Sequence, residues 1–361
     1  MNGSGESPLA PGASDGGLSA PRRRRSATSG LTLMDVARAA GVSTQTVSRV
    51  IRDHPDVSAV TRAQVAETIR RIGYVPNLSA RNLASNVSKL IATVVPSIST
   101  SVFADTMAAA ADVLNPAGYQ MILGVTDYSP EAEEQLVRKL LGRQPDGVLL
   151  VGVMHTPTAT RMLAASGVPV VETWGWTDSP IGSLVGFPND DAMADLVDAL
   201  FERGYRRPAF VGSTEAGDVR ARERFSGFRR AWDAAQPGEP VRFVDAAGRP
   251  LSLPSGDELL AEARERYPDT DVVVFATDIL ASGAILGAAR RGWRVPEEVA
   301  VTGFGDFELA SALLPALSTV SVEAGRIGRE AAEILLAQIA APGGPPRIVD
   351  VGYRITLRES T

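Results

Sequence analysis

TLMDVARAAGVSTQTVSRVI, residues 32–51, is the stretch from which the first part of the chain can be read. Thr32 followed by Asp35 predicts a capping box, in which a hydroxyl meets an orphan amide and an acid sits in the first helical turn. The helix it opens buries Val36 and Ala37 and ends at Gly41, a residue able to take the left-handed conformation of a C-terminal cap. Ser43 caps a second helix. Its apolar face is Val47, Val50 and Ile51, and its polar face carries Thr44, Gln45, Thr46, Ser48 and Arg49. Two short helices joined by a Gly-containing turn make a helix-turn-helix. A polar face that is merely wet usually carries Glu and Lys in i,i+4 pairs. This one carries hydroxyls, an amide and an Arg, groups that read base edges and phosphates.

Residues 33–51 also resemble the signature of the LacI/GalR family of bacterial repressors, with Asp35, Ala37, Gly41, Val42, Ser43, Thr46, Val47, Ser48 and Arg49 in register. The resemblance implies that Thr32, Leu33, Ser43, Thr44, Gln45, Thr46, Ser48 and Arg49 form the DNA-contacting set.

Charge agrees once it is divided along the chain. The whole chain carries a formal −6, but residues 21–90 hold twelve Lys and Arg against four Asp and Glu. That segment is therefore +8, and −14 is left for the rest. A basic head on an acidic body suits a protein whose head alone approaches a duplex. With no Cys there is no disulfide, no thiolate metal site and no Cys nucleophile. No apolar run reaches membrane-span length and no signal-peptide core is evident, so the expected location is cytoplasmic.

Residues 1–30 are rich in Gly, Ser, Pro and Ala and are expected to be a disordered basic tail. Arg22 to Arg25 there read as a solvated charge run or as non-specific phosphate contacts. Ser58 is expected to cap a third helix ending at Gly73, with Val65, Ile69 and Ile72 packed on the first two. Arg62 and Arg70 read as surface solubilisers or phosphate contacts. Tyr74-Val75-Pro76-Asn77 and LSARNLASN (78–86) read by themselves as a linker. The resemblance makes 76–88 a hinge whose short helix forms on operator DNA. It places Asn77 at the start, Ala80 and Ala84 where two hinge helices touch, Leu83 as a minor-groove wedge and Arg81 as a polar contact.

From Leu90 the rhythm changes. LIATVV, YQMILGV, DGVLLVG and VPVVETW read as buried strands, followed by a second set, RPAFVG, DVVVFAT and EVAVTGF, with amphipathic helices between. Apolar strands alternating with helices imply parallel sheets covered on both faces. The expected fold class is multidomain α and α/β, a three-helix head and hinge helix followed by two doubly wound parallel-sheet subdomains. The resemblance makes the body one of periplasmic-binding-protein type, with the chain crossing between subdomains three times. The expected division is 89–187 with 319–347, and 188–318 with 348–361, the strand near 348–357 lying mostly in the second.

No GxGxxG follows a strand, no Walker motif or Gly-x-Ser-x-Gly occurs, and His54 and His155 are the only histidines. No catalytic residue, metal or cofactor is expected. A sugar-processing enzyme is the weaker alternative, which turnover of a sugar phosphate would revive. A sugar-binding protein without a DNA role is the other.

Ligands of doubly wound sheets bind at strand ends, in the cleft. The candidates there are Ser97 and Phe103 after the first strand, Asp127 after the second and His155 after the third. The loop resembles the family's Pro-x-x-x-Asn-x-x-Phe, with Thr100 in place of Asn. Phe103 reads equally as core or as a stacking platform. Asp127 reads also as a turn cap, His155 as structural, and Trp174 and Trp176 as cleft shields or plain hydrophobic surface. The resemblance adds Asn189 in the first crossing segment, Arg224 before a Gly-aromatic pair and Asp278 after DVVVFAT. Asp306 survives from a usual Gly-Phe-Asp-Asp. Arg224 reads otherwise as a surface residue, and Asp278 as an N-cap. PSISTSVFAD, GYQMILG, His155-Thr156-Pro157, VPVVE and VGFPN resemble the gluconate-operon repressors within the family. The expectation is a homodimer on pseudo-palindromic operator DNA with a sugar-acid effector, neutral sugars standing second.

Overall fold

A computed structural model describes residues 31–75, 87–98, 101–214 and 218–361. The expectations for the basic tail, for Thr100 and for Asn77, Ala80, Arg81, Leu83 and Ala84 of the hinge lie outside these residues. The chain divides into two units, Met1–Ala84 and Ser85–Thr361.

In the first unit, α1 (Leu33–Ala40), α2 (Thr44–Ile51) and α3 (Ala59–Ile72) enclose a small core of Val36, Ala37, Ala40, Val47 and Val65. The caps stand where the sequence placed them. Thr32 and Asp35 form the reciprocal capping box, Ser43 accepts from the Thr46 amide, Ser58 accepts from the Thr61 amide, and Gly41 and Gly73 are left-handed. The hydrogen bonds of Thr32 hold Asp35 below the usual carboxylate range. Each cap contributes about 1 kcal/mol, a large share of the stability of helices only eight residues long. Gln64 Nε2 donates to the Ala40 carbonyl at 2.9 Å and ties α3 to the end of α1. Arg62 pairs with Asp53 and donates to the His54 carbonyl, so it clamps the loop before α3.

The second unit contains two six-stranded sheets. The first half runs β1 (Leu90–Val95), α4 (Ser101–Leu114), β2 (Gln120–Val125), α5 (Pro130–Leu141), β3 (Gly147–Val151), α6 (Pro157–Ala165), β4 (Val170–Thr173) and β5 (Ser183–Gly186). The second runs α7 (Asn189–Glu202), β6 (Pro208–Gly212), α8 (Val219–Ala235), β7 (Phe243–Asp245), α9 (Leu253–Arg266), β8 (Val272–Phe275), α10 (Asp278–Arg291), β9 (Ala300–Gly305), α11 (Glu308–Ala312) and β10 (Ser318–Ser321). The chain ends with α12 (Ala324–Ala340), β11 (Ile348–Asp350) and β12 (Arg354–Thr356).

The sheet orders are β11-β5-β4-β3-β1-β2 and β12-β10-β9-β8-β6-β7, parallel throughout except that β12 runs antiparallel to β10. The strands are apolar on both faces because helices cover both. In β3, Leu149 and Val151 join one core, while Val148 and Leu150 join the core on the opposite face. In β8, Val272 and Val274 divide from Val273 and Phe275 in the same way. Each such side chain contributes roughly 1.5–3 kcal/mol by leaving water.

The first crossing falls at the expected boundary, between β5 and α7, and the later two fall a few residues further on. β10 pairs with β9, so residues 318–321 belong to the second sheet, and the chain returns after them. α12 then packs on α4, and β11 adds to the first sheet beside β5. Only β12 lies on the second sheet. The single strand expected over 348–357 is therefore two, divided at Val351 to Tyr353 by the third crossing. Phe187 of the first crossing lies 6.1 Å from Phe304 and 6.4 Å from Tyr353 of the third, packing the crossings together.

Candidate functional site

On the head, Thr44, Gln45 and Arg49 form an exposed face of α2, with Thr46 and Ser48 half-buried at its edge. Ser43 and Thr32 are occupied as caps. Leu33 packs on the head core, because its position on α1 falls on the stripe of Val36 and Ala37. Thr32 and Ser43 are exposed as well, so the outward candidates with side chains free of a capping role are Thr44, Gln45 and Arg49.

In the second unit, the carboxyl ends of the strands face each other across a cleft that contains two adjoining cavities. Tyr128, Trp174 and Arg220 line both. The first is completed on one side by Phe103 and on the other by Arg224, Ala276, Phe304 and Phe307. The second has Thr126, Ser129, Glu133 and Glu223 in its wall.

Arg224 is buried on α8. Its Nε and Nη2 donate to Asn189 Oδ1 at 3.0 and 2.9 Å, and Nη1 donates to the Ala276 carbonyl at 2.7 Å. Its guanidinium lies 3.7 Å from the centre of the Phe304 ring. Burial, helped by the charge of Arg220, lowers its pKa to about 10, so it remains a cation at neutral pH. Phe103 is buried edge-on against Trp174, with ring centres 5.5 Å apart, and is both core and cavity wall. Trp174 is anchored by its indole N–H to Thr106.

Four other candidates stand back from the cavities. Asn189 is buried, its carbonyl taken by Arg224 and its amide donating to the Trp174 carbonyl at 3.2 Å. Asp278 is fully buried, accepting from Thr319 Oγ1 at 2.6 Å and from the Phe307 amide at 2.8 Å. Burial lifts its pKa to about 6 against the pull of those bonds. Both residues hold walls of the cleft in place. Asp127 is an exposed turn residue with positive φ, and the neighbouring Tyr128 is the one turned inward. Ser97 is half-buried, and Pro96 beside it lines the second cavity.

His155 follows its structural reading. Its ring lies inside the first-sheet half, with Nδ1 2.6 Å from Glu133 and Nε2 3.3 Å from Glu172. Burial pulls its pKa down, but the hydrogen bonds and charges of the two glutamates prevail and hold it at about 9. A folded-state pKa raised above the unfolded value stabilises the fold fully below about pH 6.5. That contribution fades as pH rises through about 9. The thermal midpoint of wild type should therefore fall more between pH 6.5 and 9.5 than that of His155→Gln. Parallel curves for the two proteins would place the stabilisation elsewhere.

Arg220, Tyr128, Phe304, Glu133 and Glu223 were not singled out from the sequence. A signal existed for Arg220, which is four residues before Arg224 and so on the same helical face. Nothing local marked the others, which the cleft collects from separate strand ends.

A helix-turn-helix with an outward polar face, joined in one chain to a two-sheet ligand cleft, defines a DNA-binding regulator with a sensing body. The comparisons agree. The family model "Bacterial regulatory proteins, lacI family" matches residues 32–77, and that for a periplasmic binding protein-like domain matches residues 197–361. The chain is 39% identical over 330 residues to the HTH-type transcriptional regulator GntR of Pseudomonas aeruginosa, covering 91% of this chain and 95% of that one. A LacI-family transcriptional regulator from Silicibacter pomeroyi superposes with a TM-score of 0.85 at 35% identity, over 91% of this chain and 99% of that one. The lac repressor dimer bound to operator and the anti-inducer ONPF gives a TM-score of 0.75 at 25% identity, over 92% and 99%. The chain belongs to the lacI family of bacterial regulatory proteins. It is a DNA-binding transcriptional regulator and not an enzyme. Among the described residues, no helix is long and apolar enough to cross a membrane.

Proposed function

We propose that the chain is a repressor that binds a pseudo-palindromic operator as a homodimer and changes operator affinity when a sugar acid, gluconate or a keto- or phospho-relative, fills the cleft. The observation that carries the acid is Arg224. It is a buried guanidinium in the cavity wall, held in the plane of Asn189 and Ala276, with one N–H on each terminal nitrogen left over for a ligand. A charged donor pair fixed by the protein recognises a carboxylate at low ordering cost. The homodimer rests on the two-fold symmetry that a pair of heads reading a palindrome requires, and on the likeness to the lac repressor dimer. A neutral sugar is the second reading, favoured by the hydroxyl-accepting wall of the second cavity.

Calorimetric titration of the full chain with gluconate, 6-phosphogluconate, 2-ketogluconate, glucose and galactose decides between them. At least one acid should bind more tightly than either sugar, and the reverse order sinks the sugar-acid reading while leaving the regulator intact.

On the DNA side, Gln45 opens α2 with its amide exposed, a group suited to an adenine edge. Gln45→Ala should weaken operator binding by ~1–3 kcal/mol and relax sequence preference at one position of each half-site. An equal loss on operator and random DNA would instead make Gln45 a non-specific contact.

A further inference from the structure

Arg220 sits one turn before Arg224 on α8, a helix that packs on α7 and β6 of the second-sheet half. Its guanidinium reaches the opposite wall. It lies 5.2 Å from the ring centre of Phe103 on α4 and 5.8 Å from that of Tyr128, which follows β2. It lines both cavities and stands where they adjoin. No carboxylate among the described residues pairs with it. The acid in the same wall, Asp218, caps α8 by accepting from the Ala221 amide at 3.2 Å. Two guanidiniums thus share the first cavity with one carboxylate, a net positive chamber. Arg224 is immobilised by three hydrogen bonds, whereas Arg220 rests on ring faces and on a single side-chain hydrogen bond to the Tyr128 hydroxyl. Cation–π contact uses the face of a guanidinium, and one bond to Tyr128 leaves the other in-plane N–H donors for a ligand.

We propose that Arg220 is the specificity-determining residue by which the cleft distinguishes a carboxylate-bearing ligand from its neutral counterpart. The carboxylate lies in the first cavity and accepts from Arg220 and Arg224 together, which also offsets the repulsion between the two cations. A neutral chain of the same length meets the same walls but offers no charge to either. Because Arg220 is carried by one half of the body and rests on the other, a ligand that engages it also joins the two halves, which couples acid recognition to closure. The inference rests on the sugar-acid reading above and adds the residue that makes the selection.

The test is calorimetry on the full chain with gluconate and with glucitol, the same carbon chain bearing an alcohol in place of the carboxylate. Wild type should prefer gluconate. Arg220→Gln should weaken gluconate binding roughly 10- to 100-fold and leave glucitol within roughly 3-fold, so that the preference collapses. Arg220→Lys, which keeps the charge and loses the fork, should fall between and serves also as the second variant if the glutamine protein does not fold. A variant that keeps the wild-type gluconate-to-glucitol ratio overturns the role of Arg220 and leaves the sugar-acid reading standing. So does an equal loss for both ligands. A wild type with no preference for gluconate over glucitol overturns both.

Discussion

Arg224→Ala is expected to lose about 2–5 kcal/mol of sugar-acid affinity, roughly 30- to 5,000-fold in Kd, because it removes one member of a buried charge-assisted pair. The loss has two sources. The ligand carboxylate would be left in a closed cavity with a single cation, and Asn189 Oδ1 would be left without the two donors it now accepts from. The Phe304 ring would also lose the cation on its face. These structural losses mean that neutral ligands should weaken too, in contrast to the selective effect expected at Arg220. Arg224→Lys should recover part of the charge but not the bidentate grip on Asn189. In cells the Ala variant should leave its target genes unresponsive to the acid while operator binding persists. Full acid affinity in a folded Arg224→Ala protein would remove the residue from the recognition scheme.

The second large effect is on the fold. α9 and α10 touch backbone to backbone through a reciprocal pair of glycines. A Cβ on Gly283 would overlap the Leu253 carbonyl, and one on Gly256 would overlap the Leu280 carbonyl. The obstacle in both cases is main chain, which cannot rotate aside as a side chain can. Gly283→Val should therefore force the helices apart and open the core of Leu259, Leu260, Leu280 and Ala284. The expected cost is about 3 kcal/mol, which lowers the thermal midpoint by roughly 5 °C. Gly283→Ala should fall on the same side but lose less. Midpoints within a degree or two of wild type for both would show that these helices can separate freely. Gly227 against Asp190 and Gly328 against Thr106 make the same kind of contact between α8 and α7 and between α12 and α4. Each offers an independent check.

The head was readable because everything that defines it is close in sequence. Thr32 meets Asp35 and Ser43 meets Thr46, each pair three residues apart, and Gly41 closes the turn between them. Strands such as LIATVV and DVVVFAT were equally plain, since a strand covered on both faces has few polar positions. The short strands Ser183–Gly186 and Phe243–Asp245 were not, for three or four residues carry too little pattern to separate from a loop. Arg224 was found through resemblance, and its helical neighbour Arg220 was within reach of the 3.6-residue period. The two readings of His155 stayed open because its position after the third strand said nothing about Glu133 and Glu172, on other elements, that draw its ring inward.

The sequence by itself determined the helix-turn-helix, the polar face that α2 presents, the parallel α/β body and its principal strands. Caps, turns and hydrophobic periods act over a few residues and depend little on what packs against them. Only the tertiary structure decided where the third crossing falls, because Ile348–Asp350 and Arg354–Thr356 are equally short and differ in partner. It alone decided which polar residues line the cleft and which lie beneath it. Asn189, Asp278 and His155 carry the chemistry of ligand-binding side chains, yet each meets partners 15 to 41 residues away that occupy its donors and acceptors. That satisfaction is set by long-range geometry, since a buried polar group costs free energy unless paired and takes whatever partner the fold brings to it.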